Sequence, residues 1–274
     1  MHRLDWLALH LDVHAPDLLP SARKRRVPVP MIESVSLTLG GLLAGIISGA
    51  TGFGFALAGT ALWSLTLEPR LVAVLAVVFT TVLNLGYLPV FWRDIDLKRL
   101  APFAAGCFAG VPLGAYALST LPAPALRLGV GLLLLTYGSY RLATRRMPRL
   151  ALSPGAARTG DVAVGFLGGF FGGLGGLSGF LPALWSGLRG WDKRSQRALL
   201  QSYILFANVL SIAWIGKLVG VDATARAHLL LGLPFVIVGG WLGLRLFARF
   251  DTPTFNRVVL WVITGCGLVL VLHP

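Results

Sequence analysis

GFLGGFFGGLGGLSGFLP, residues Gly165–Pro182, has a partner earlier in the chain: GLLAGIISGATGFGFALAG, Gly41–Gly59. A shift of 124 positions lays Gly41 on Gly165, Gly45 on Gly169, Gly49 on Gly173 and Gly52 on Gly176. The same shift carries Asn84 to Asn208 and Arg93 to Lys217. Further on a shift of 129 lays Gly110 on Gly239, Gly114 on Gly243 and Pro124 on Pro253. Fixed offsets across apolar segments indicate an internal duplication.

Composition sets the solvent. Of 274 residues, 55% are hydrophobic and 13% are charged, and the mean hydropathy is +0.76. A soluble domain carries about 25% charged residues, so this chain lacks the charge to cover a water-facing surface. The fold class it specifies is an all-α, polytopic integral membrane protein. The net charge of +13 comes from short basic runs between apolar segments, such as Arg145-Arg146 and Lys193-Arg194. Runs of this kind belong to membrane faces and lipid headgroups rather than to nucleic acid. The two cysteines, Cys107 and Cys266, lie inside apolar runs and read as packing residues. The sequence implies neither metal nor cofactor.

Apolar segments fall at 35–67, 71–92, 100–121, 124–143, 161–188, 197–219, 227–247 and 254–272. About 20 apolar residues cross the hydrocarbon. The organisation is therefore a basic, disordered tail at 1–30, a first membrane repeat at 31–144, a linker at 145–160 and a second repeat at 161–274, with four helical segments in each repeat. Met31 is an alternative start. The first segment of each repeat exceeds one straight crossing and carries glycines at its centre, Gly49–Gly54 and Gly172–Gly176. Each glycine weakens a helix by roughly 1 kcal/mol relative to alanine. A broken helix or a re-entrant hairpin is expected in each half, facing protein or a water-filled cavity. Eight straight crossings and three crossings per inverted half distribute the basic residues equally well, so both topologies stay open.

A helix that restarts inside the membrane leaves its first N–H groups unpaired and presents a positive dipole end, which suits an anion. Two breaks related by a pseudo-twofold axis would enclose one small anion near the midplane, as in transporters built from repeats. The candidate substrate-binding residues are Thr51, Gly52, Phe53 and Gly54 at the first break, Gly175, Gly176, Leu177, Ser178 and Gly179 at the second, and the amides Asn84 and Asn208. The outer glycines, spaced by four, read as helix-packing positions. Asn84 and Asn208 either bind substrate or brace the breaks; Thr80, Thr81, Gln201 and Ser202 lie nearby on the same helices. No Asp, Glu, Lys or Arg occupies the middle of a segment, which argues against a carboxylate proton relay and against a large polyanion.

Gly176-Leu177-Ser178-Gly179 also matches the GxSG of rhomboid proteases, with His228 on a later segment. An intramembrane serine protease is therefore an alternative reading, and a non-transporting membrane scaffold subunit is another.

The duplicated Gly-rich segment, the basic turn after it and the four segments per half resemble the TauE/SafE family of sulfite and organosulfonate exporters. The similarity spans Ile32 to Leu272 and centres on Gly45–Gly59 and Gly169–Pro182. Pro182 matches the family pattern; its counterpart Ala58 departs from it. The resemblance implies no enzyme. It implies a bacterial inner-membrane permease that moves a small anion, sulfite or an organosulfonate, through the lipid bilayer. Self-association is compatible with the sequence.

Overall fold

The computed structural model describes residues 31–52, 54–144, 150–247 and 252–273. The expected tail at 1–30 lies outside them, as do Phe53 and part of the linker. The described residues form ten α-helices: α1 Met31–Thr51, α2 Phe55–Trp63, α3 Pro69–Phe91, α4 Leu97–Thr120, α5 Ala123–Ala143, α6 Pro154–Gly175, α7 Phe180–Leu188, α8 Lys193–Leu218, α9 Ala223–Phe247 and α10 Thr252–Leu272. No strand occurs among them.

Local chemistry sets the boundaries. Asp96 accepts the N–H groups of Lys98 and Arg99 at 3.0 and 3.3 Å, starting α4. Asp192 accepts those of Arg194 and Ser195, both at 3.0 Å, starting α8. These are side-chain caps for donors that have no partner within the helix. Pro69 opens α3, where the missing N–H costs nothing. Large apolar side chains such as Leu43, Phe108, Leu230 and Trp241 are exposed on the outside of the bundle. An apolar exterior suits hydrocarbon, and five of the helices are long and apolar enough to cross it.

The first segment of each half is a hairpin, one of the two arrangements expected above. Thr66 Oγ1 donates to Ser36 Oγ at 2.8 Å, and Gly40 faces Trp63. The return arm α2 therefore runs back along α1, and the chain leaves at the end where it entered. In the second half Trp185 Nε1 donates to Asp161 Oδ1 at 2.6 Å, and the Leu150 N–H bonds to the Leu188 carbonyl at 2.8 Å. So α7 runs back along α6 in the same way. The Arg194–Asp94 ion pair at 2.8 Å sets the end of α3 beside the start of α8. The two hairpins accordingly open at opposite ends of the bundle, separated by the length of α3.

Close glycine packing locks the outer helices. The arm α1 lies parallel to α9, and α6 lies parallel to α4. A Cβ on Gly45 would stand 2.7 Å from the Val236 carbonyl oxygen. A Cβ on Gly169 would stand 2.8 Å from that of Cys107. Gly45 and Gly169 are related by the shift of 124, and Cys107 and Val236 by the shift of 129. Small residues let backbones approach where lipid offers no hydrophobic drive to associate. Inside this frame Phe55, Trp63 and Phe79 meet edge to face at 5.8 to 6.3 Å, seating α2 on α3.

Candidate functional site at the hairpin tips

Each tip is a helix interruption pinned by a long helix. At the first, Gly52 takes a left-handed conformation at φ +87°. Glycine enters that region without the steric cost that other residues meet. Thr51 Oγ1 donates to the Ile47 carbonyl at 2.8 Å and accepts the Gly54 N–H at 3.2 Å, which holds the turn from inside. The carbonyl of Gly52 accepts from Gln201 Nε2 on α8. Gly54 then caps α2 without a side-chain bond, so the first N–H groups of α2 lack intrahelical acceptors.

At the second tip Gly176 is left-handed at φ +73°. Its N–H bonds to the Gly172 carbonyl at 2.7 Å, and that of Leu177 to Phe171 at 3.1 Å. A Cβ on Gly176 would stand 3.1 Å from Val77 Cγ2 on α3. Val77 and Gln201 are related by the same 124 positions as Gly52 and Gly176. Each tip thus rests on the corresponding turn of the other half's long helix. The Leu177 side chain is buried in the apolar core and its N–H is spent on Phe171, so this residue shapes the tip rather than donating to a ligand. Ser178 is fully buried, and its Oγ has no hydrogen-bond partner. Gly179 begins α7.

The amides belong to these surroundings. Asn84 Nδ2 donates to the Thr80 carbonyl at 2.8 Å, leaving Oδ1 without a partner. Asn208 is 0% exposed, and neither atom of its amide is bonded. Its chain neighbour Ala207 packs toward Gly172 at the second tip. Gln201 Oε1 and Thr80 Oγ1 are likewise buried and unbonded. A buried amide without partners costs roughly 1–3 kcal/mol, so a run of them is expected only where a ligand or water completes them.

Height along the bundle follows from helix length. Both α1 and α6 run about 31–33 Å, at 1.5 Å per residue, so each tip approaches the end opposite its own mouth. Val77 and Gln201 each lie about two turns into helices that start at opposite ends. The tips therefore bracket the centre of the bundle rather than meeting at one level.

This reach brings in two cations that the sequence reading passed over as helix-end residues. A Cβ on Gly52 would stand 3.2 Å from Arg197 Nε, one turn into α8. Arg127, one turn into α5, lines a cleft of about 20 Å³ with Gly175, Thr60 and Ser64. A second cleft, of about 230 Å³, leads from Asp94 and Asp96 past Ser195 and Leu199 to Ser202, the neighbour of Gln201. Serine and histidine are not paired: His228 Nδ1 is 2.8 Å from the Thr224 carbonyl and Nε2 is 3.1 Å from Glu33 Oε2. Both ring nitrogens are engaged away from Ser178, and nothing in the structure supports the protease reading.

Paired hairpins and long, glycine-packed apolar helices define a multi-pass membrane protein. The family model described as Sulfite exporter TauE/SafE matches residues 37–270, and the chain belongs to that family. No curated protein and no solved structure matches it.

Proposed function

We propose that this protein is a bacterial inner-membrane permease for a small oxyanion, sulfite or an organosulfonate, working in the direction of export. The observation that carries the reading is the fully buried, unbonded amide of Asn208 at the second tip, whose N–H groups can donate, with the equally buried and unbonded Ser178 hydroxyl as a second donor. The two halves act as inverted repeats, with α3 and α8 as the shared wall. The anion is passed between the first-turn N–H groups of α2 and those of α7, because Gly52, Gly54, Gly176 and Leu177 bond their own N–H groups within the tips. Arg197 and Arg127 supply positive charge beside the respective tips. Asn208 orients the oxyanion by donating its N–H groups, and Asn84 has only the amide hydrogen that its bond to the Thr80 carbonyl leaves over.

Orientation follows from the basic residues. Arg93, Lys98, Arg99, Arg141, Arg158, Arg189 and Arg194 stand at the end where α4 and α8 begin; Arg70, Arg127, Lys217 and Arg226 stand at the other. The richer end is cytoplasmic by the positive-inside rule. The 230 Å³ cleft then lies at the cytoplasmic end and reaches α8 as far as Ser202, next to the Gln201 that holds the first tip. A scaffold would be expected to fill its interior with matched apolar surface, and the unbonded amides support transport instead.

The test is anion flux into proteoliposomes, comparing sulfite, sulfate, sulfoacetate and acetate. Sulfite or sulfoacetate should move at least ten times faster than acetate. Inactivity with all four removes the assignment.

A further inference from the structure

A separate cavity of about 580 Å³ opens at the end assigned to the cytoplasm. Its walls come from the start of α4, the start of α6 and the turn between α7 and α8. Lys98, Arg99, Arg158 and Arg189 line it together with Trp191 and a single carboxylate, Asp161. None of the candidate residues at the hairpin tips reaches it.

The cations are held apart from neutralising partners to different degrees. Arg99 and Arg189 stand over the ring of Trp191, at 5.2 and 5.4 Å from its centroid. A single indole thus gathers two guanidinium groups that would otherwise repel. Asp161 is already engaged twice, by Arg189 Nη1 at 2.9 Å and by Trp185 Nε1 at 2.6 Å. Arg99 also pairs with Asp96 at 3.2 Å. Lys98 and Arg158 have no ion pair among the described residues. With Arg99 paired to Asp96 and Arg189 to Asp161, Lys98 and Arg158 leave the cavity with an excess of positive charge. Planar guanidinium forks fixed on an aromatic face match a tetrahedral oxyanion with two oxygens.

We infer that this cavity is a second anion site, which binds a phosphate or sulfonate group at the cytoplasmic face and is distinct from the transport path. The group comes either from an anionic lipid or from a free oxyanion. The site stands on its own observations and does not require the transport reading.

The experiment uses the full-length protein, purified in neutral detergent, and its Lys98→Gln/Arg158→Gln variant. Two probes are applied: phosphatidylglycerol, counted as bound lipid by native mass spectrometry, and inorganic phosphate, titrated by calorimetry. The wild type should bind one of them at least ten-fold more tightly than the variant. Retained phosphatidylglycerol identifies a lipid site, and saturable phosphate binding identifies a free-anion site. A Lys98→Arg/Arg158→Lys variant keeps the charge and should restore binding, which separates loss of the site from misfolding. Equal affinity of wild type and glutamine variant for both probes overturns the inference. Sulfite flux in the same preparations reads the transport proposal separately.

Discussion

Gln201 on α8 donates its side-chain N–H to the backbone carbonyl of Gly52, tying the first hairpin tip to a helix of the other half. The corresponding pair at the second tip, Gly176 and Val77, is joined by van der Waals packing alone. The two tips share a layout but differ in what pins them. Gln201→Leu should strand the Gly52 carbonyl and lower stability by about 1–3 kcal/mol. Val77→Leu, at the related position, should cost less than about 1.5 kcal/mol. Thermal unfolding in detergent measures both. Equal midpoints would mean that the Gln201 bond does not hold the tip.

Asn208 separates binding from packing. Both atoms of its amide are buried and unbonded in the fold, so the amide contributes no protein hydrogen bond that an apolar side chain would lose. Replacing such a group by an apolar one of similar shape is near neutral for stability or better. Asn208→Leu should therefore unfold at or above the wild-type temperature while sulfite flux falls at least ten-fold. A variant with wild-type flux would exclude the amide from the path.

The pattern of legibility has a physical cause. Both interruptions could be read because glycine marks a position where a helix ends in a left-handed residue, and Gly52 and Gly176 do so. The packing glycines could be read from their spacing of four, and Gly45 and Gly169 lie against α9 and α4. The folding back of α2 on α1 was one of two arrangements the sequence allowed, and the placing of Arg197 and Arg127 was not legible. Charge counting weighs only loops, and both topologies loaded them alike. Arg197 and Arg127 look like headgroup residues along the chain. They become tip residues only because each hairpin arm traverses nearly the whole bundle before it turns.

The Glu33–His228 pair ties the start of α1 to the start of α9. A carbonyl accepts but does not donate, so His228 Nδ1 carries the hydrogen that bonds to Thr224. The other ring nitrogen, Nε2, lies 3.1 Å from Glu33 Oε2. Glu33→Gln supplies an N–H that can donate to neutral Nε2, and should stay within about 0.5 kcal/mol of wild type. Glu33→Ala leaves the buried ring nitrogen bare and should cost about 1–3 kcal/mol. Chemical denaturation ranks the two, and the reverse order would reject this reading of the contact.

Topology offers the sharpest check on the hairpins. If the segment from α1 through α2 crossed the bilayer, and that from α6 through α7 did too, Leu65 and Val221 would emerge on opposite faces. With both segments folded back, Leu65 after α2 and Val221 between α8 and α9 share one face, which the proposed orientation makes periplasmic. Leu97 at the start of α4 and Leu150 before α6 share the other. All four side chains are exposed, at 46, 44, 71 and 43%. Single cysteines at these positions, in a chain carrying Cys107→Ser and Cys266→Ser, are treated in intact cells with a membrane-impermeant thiol reagent. Leu65→Cys and Val221→Cys should label together. Leu97→Cys and Leu150→Cys should label only after the membrane is opened. Labelling that splits Leu65→Cys from Val221→Cys would mean that at least one hairpin passes through, and the two tips could then no longer approach from opposite faces.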